Sequence, residues 1–139
     1  MKTKTLFTLP LIIGLLLLLT SCSKPGHSVD FGLSPESVTF DNNGGDATVT
    51  SDIDVDLWSI SYWENGEWES ADYEELIEDE TNRKYLKCDW AEVHCYSNDD
   101  GSSYITISVT ENETGEDRRL SIKLTYGDHQ DWIYVTQTK

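Results

Sequence analysis

The feature that most constrains this chain is a two-residue hydrophobic period running through its last third, from Tyr104 to Gln137. Ile105, Ile107 and Val109 alternate with Tyr104, Thr106 and Ser108. The separator Glu111 to Asp117 interrupts the pattern, which resumes as Leu120, Ile122, Leu124 and Tyr126. Gly127-Asp128-His129-Gln130 breaks it again, and Trp132 to Thr136 alternates a third time. In an extended chain successive side chains point to opposite faces, so this period reads as half-buried antiparallel strands. Such strands leave one apolar face to be covered, and a second sheet is the economical cover.

The same signals continue upstream. Leu33-Ser34-Pro35 leads into a strand with Val38 and Phe40, and Asp41 to Asp46, with Gly44-Gly45, predicts a hairpin whose return strand carries Ala47 and Val49. Trp58 and Ile60 read as inward residues of a core strand, and Tyr62 to Glu69 as a second hairpin around Asn65-Gly66. Ala71 to Glu80 is acidic and holds Tyr73, Leu76 and Ile77 at roughly helical spacing, either a short helix or an irregular excursion. Trp90 to Val93 reads as another strand, with Trp90 in the core, and Ser97 to Ser102 as a loop. The expectation is a monomeric all-β, two-sheet sandwich of about seven or eight strands, with an inserted hairpin and acidic segment.

Residues 1–21 carry a different message. Lys2 and Lys4 precede an apolar run from Leu6 to Leu19, too short for a comfortable membrane span and flanked like a secretory signal. Leu19-Thr20-Ser21-Cys22 resembles a bacterial lipobox, in which the cysteine thiol is acylated and becomes the first mature residue. The expected organisation is a lipoprotein signal peptide over 1–21, a lipid-anchored tether over 22–32 and one domain over 33–139. The protein would then sit in the cell envelope as an outer-membrane lipoprotein, on a face of the membrane that these residues leave open.

Cleavage before Cys22 leaves 118 of the 139 residues, enough for one domain. With Lys2 and Lys4 removed, eight bases face 26 acids, a formal charge of −18. A surface of that sign excludes nucleic-acid binding. Cys88 and Cys95 either stay as thiols or bridge across a bulge. An extended strand between them would hold them roughly 23 Å apart, too far for a bond. Asp52, Asp54 and Asp56 lack the glycine and the terminal glutamate of a calcium loop, and two cysteines with His94 do not make a zinc set, so no metal or other cofactor is expected.

The ordered set Leu33-Ser34-Pro35, Val38-x-Phe40, Gly44-Gly45, Trp58-x-Ile60, Trp90-x-x-Val93, Gly101, Ile105-x-Ile107-x-Val109, Asn112, Arg118, Ile122 and Val135-Thr136-Gln137 resembles the BACON domains of Bacteroidetes. That resemblance implies an immunoglobulin-like β-sandwich on a secreted or lipid-anchored protein, in a family proposed to bind carbohydrate or mucin. The stretch between Trp58 and Trp90 is longer than the resemblance leads one to expect.

No nucleophile elbow, zinc-protease motif or phosphate-binding glycine loop is present, and the protein reads as a non-enzyme. Tyr62, Trp63 and Trp68 flank the Asn-Gly turn in polar company and are the ligand-binding residues expected from sequence. Flat rings beside hydroxyls and amides suit sugars, whereas cross-strand packing of the two indoles would need no ligand. Trp132 and Tyr134 share one face of the last strand; Arg118 and Arg119 read as charge partners for the acidic surface. The functional expectation is an envelope binding module for carbohydrate or mucin glycans. The alternative is a spacer or a subunit that meets an envelope protein.

Overall fold

The structure is a computed structural model, and it describes residues 28–64, 66–78 and 84–139. The expected signal peptide over 1–21, Cys22 and most of the expected tether lie outside the described residues. Ten strands are formed among those described, namely β1 (Ser37–Phe40), β2 (Gly45–Ser51), β3 (Asp56–Glu64), β4 (Glu67–Asp72), β5 (Ile77–Glu78), β6 (Lys84–Lys87), β7 (Ala91–Ser97), β8 (Ser103–Val109), β9 (Arg118–Tyr126) and β10 (His129–Gln137). The single helical element described is a 3-10 turn at Tyr73–Glu75, started by Asp72, whose side chain accepts from the Glu74 amide. The strands form two five-stranded sheets, ordered β1-β10-β9-β3-β4 and β2-β8-β7-β6-β5.

The two-residue period explains the packing. Leu120, Ile122, Leu124, Ile133 and Val135 of the first sheet are buried against Val49, Leu86, Val93, Ile105 and Ile107 of the second. Each such side chain contributes roughly 1.5–3 kcal/mol on burial. Trp90 joins this core as expected and is 3% exposed.

Three expectations are corrected. Asp41 to Asp46 does not close a hairpin: β1 pairs in parallel with β10 in one sheet, and β2 pairs with β8 in the other. The connection must pass close to the β8 end. Gly44 has a φ of 79°, and a Cβ there would lie 2.4 Å from the Val109 carbonyl oxygen, so the glycine pair serves a sheet crossing. Trp58 is not in the core. The register slips between Leu57 and Ser59, and this bulge turns the indole outward to 40% exposure. Ten strands are formed among the described residues where about seven or eight were expected, because the segment between the Tyr62–Glu69 hairpin and Trp90 contributes the short β5 and β6. Upstream of Leu33, Phe31 is fully buried, and its carbonyl accepts from the Asp52 amide at 3.0 Å and the Ser51 hydroxyl at 2.8 Å.

Candidate functional site

The expected hairpin exists: β3 and β4 pair with Trp63 directly opposite Trp68, and Gly66 takes a positive φ of 84° in the turn. The two indoles meet edge to face, with centroids 5.6 Å apart, in the arrangement the aromatic quadrupole favours. Trp68 remains 54% exposed. Tyr62 is not their partner. Its position alternates with theirs, opposite Leu120 and Glu69, and its ring packs against the edge of the core. Burial, aided by the charges of Cys88, Glu64 and Glu69, raises the pKa of its hydroxyl.

The strand register places the indole pair on a larger surface, the outer face of the first sheet. One cross-strand row holds Trp68, Trp63 and, by continuation of the β3–β9 register, Arg119, followed by Thr136 and Thr39. Trp63, Trp68, Arg119 and Asp117 enclose a hollow of about 410 Å³. The next row is built from Ser70, Ser61, Ser121, Tyr134 and Ser37. The third carries Asp72, Ser59, Lys123 and Trp132. Asp72 and Asp56, the latter opposite Thr125, are the acids at outward strand positions of this sheet. The face is therefore a shallow floor of hydroxyls with aromatic rings at both ends.

The far end is assembled by the bulge that sequence reasoning missed. Trp58 packs against Tyr73 at a centroid distance of 4.5 Å. The Lys123 ammonium stands 6.0 Å from the Trp58 ring and 5.9 Å from the Trp132 ring, held by both π faces. Beyond Trp58 a cleft of about 780 Å³ opens between the sheets, with Trp58 and Tyr73 at one wall and Tyr96 and Tyr104 at the other. Tyr96 and Tyr104 are stacked at 4.5 Å with their planes 9° apart. Their mutual spacing follows from period two on neighbouring strands, but the meeting with Trp58 does not, since it joins residues of different sheets.

Other polar residues have structural work. Cys88 and Cys95 are free thiols. Burial, then the neighbouring charges of Asp56 and Asp54, pushes the Cys95 pKa up to about 12, and its Sγ–H donates to the Val55 carbonyl at 3.3 Å. A thiol so strongly held in its neutral form makes a poor nucleophile. Asp54 accepts from the Ser97 and Ser103 hydroxyls. Arg118, expected to pair with surface acids, instead lies 5.4 Å over the Trp90 ring and donates to the Glu111 carbonyl. Gln137 is completely buried, and its amide donates to the carbonyls of Thr110 at 2.8 Å and Asp41 at 3.2 Å. Asn112 likewise donates to the Glu116 and Thr138 carbonyls. Arg118, Asn112 and Gln137 thus lace the strand ends together.

Residues 77–138 match the model of the BACON family, described as "Putative binding domain, N-terminal". The chain carries a BACON segment. It spans β5 to β10 and so contains Lys123, Arg119, Trp132 and Tyr134 of the outer face, while Trp58 and the Trp63–Trp68 hairpin precede it. No curated protein matches the chain. A solved structure described as the NMR structure of the protein from Bacteroides thetaiotaomicron is 18% identical with a TM-score of 0.49, covering 81% of this chain and 83% of that one. A Bacteroides ovatus GH5 xyloglucanase in complex with a XXXG heptasaccharide is 21% identical with a TM-score of 0.44. That alignment covers 74% of this chain, which spans 17% of the xyloglucanase.

Proposed function

We propose that the protein is a non-catalytic binding module, anchored in the outer membrane through lipid on Cys22, which recognises carbohydrate on the outer face of its first sheet. The observation that carries this reading is the composition of that face. Exposed rings, Trp68 and Tyr134 above all, border a strip of Ser61, Ser70 and Ser121. Indole and phenol faces stack on the C–H surfaces of sugar rings, and hydroxyls on a flat floor meet sugar hydroxyls without walls to exclude a polymer. The binding-domain description of the BACON segment supports the reading, and the lipobox supports the anchor.

The edge-to-face contact of Trp63 with Trp68 favours a second reading, in which the hairpin is only structural and the domain is a spacer. Replacement of both rings by alanine separates the two. Such a pair contributes about 0.5–1.5 kcal/mol beyond its buried area, so Trp63→Ala/Trp68→Ala costs a modest amount of stability and the protein stays folded. On a glycan array the wild type gives a signal that the double variant loses. An array silent for the wild type removes carbohydrate recognition and leaves the spacer.

A further inference from the structure

Resting on the carbohydrate reading above, we infer that the ligand of this face is an acidic glycan, its carboxylate or sulfate groups received by Arg119 and Lys123. Both side chains occupy outward positions on β9, a strand flanked on either side in its sheet. In a chain with 26 acids and 10 bases, a surface cation is expected to find a carboxylate. Neither does: among the described residues no carboxylate lies within ion-pair distance of Arg119 or Lys123.

Their surroundings fit an anion. Lys123 is positioned by Trp58 and Trp132, rings that orient the ammonium without neutralising it. Arg119 shares its hollow with Trp63 and Trp68, so a guanidinium fork and a stacking ring face the same space. Four residues along one strand separate the two cations by about 13 Å, with Ser121 between them. An extended saccharide can therefore lie along β9 with an anionic group at each end and hydroxyls over the serine floor.

The net charge of the protein opposes this at long range, and magnitude decides the contest. At physiological ionic strength the Debye length is about 8 Å, so acids in distant loops are screened. Three acids are near. Asp117 borders the Arg119 hollow; Asp56, opposite Thr125, lies diagonal to Lys123 on the adjacent strand at about 8 Å; Asp72 lies two strands from Lys123, about 10 Å away, with its carboxylate engaged by the Glu74 amide. None is within ion-pair distance, and a bound anionic group in direct contact with a cation outweighs them.

Four polymers test the inference against the full-length protein: polygalacturonate, its carboxyl-reduced neutral counterpart, dextran sulfate and dextran. At least one charged polymer is expected to bind about tenfold or more tightly than its neutral partner, and the two charged arms tell carboxylate from sulfate. In R119Q/K123Q the preference disappears while the melting temperature is kept, and R119K/K123R retains it. Equal binding of charged and neutral partners, or a preference that survives in R119Q/K123Q, overturns the inference and leaves the carbohydrate reading standing. Absence of binding to these polymers and to the glycan array overturns both.

Discussion

Trp90→Ala and Trp90→Phe together test how the sandwich is held. The Trp90 ring is 3% exposed, lies beneath Arg118 at 5.4 Å and has a buried Nε1–H with no acceptor among the described residues. A buried indole removes ~150–250 Å² from water, which at ~25 cal/mol per Å² stabilises the fold by about 4–6 kcal/mol. The unsatisfied N–H works against this by about 1–3 kcal/mol. Truncation to alanine loses the first contribution, relieves the second and leaves a cavity, for a net loss of about 3–5 kcal/mol. Against a total stability of about 5–15 kcal/mol, that is enough to unfold a marginal domain. Phenylalanine keeps most of the area and discards the orphaned donor, so Trp90→Phe is expected within about 1 kcal/mol of the wild type. Urea denaturation followed by far-UV circular dichroism, with the slope checked for two-state behaviour, measures all three proteins. A loss under about 1 kcal/mol for Trp90→Ala, or equal losses for alanine and phenylalanine, would refute the reasoning.

Two further outcomes are expected. Gly44→Ala places a Cβ 2.4 Å from the Val109 carbonyl at a φ of 79°, and should cost about 1–3 kcal/mol in the same denaturation assay, whereas a neutral effect would show that the crossing between sheets has slack. Cys22→Ala should move the protein from the membrane to the soluble fraction, and unchanged fractionation would rule out the lipid anchor.

Legibility divides along a physical line. The sequence by itself determined the all-β class, the two facing apolar surfaces and the Tyr62–Glu69 hairpin, because these depend on side-chain alternation and local turn chemistry. Ile105, Ile107, Leu120 and Ile122 could be assigned inward from their spacing alone, and all four are buried. Tertiary structure decided what local pattern does not encode. Asp41 to Asp46 has the composition of a hairpin, but whether two strands pair or part depends on partners far along the chain, here β10 and β8. Trp58 reads as core by alternation, and a bulge of one residue reversed its face, since period two has no memory across a register slip. That reversal brought Trp58 beside Tyr73, Lys123 and Trp132. Tertiary structure also left Arg119 and Lys123 with no carboxylate within ion-pair distance among the described residues, because the outward position of a side chain follows from strand parity, while its neighbours follow from sheet order.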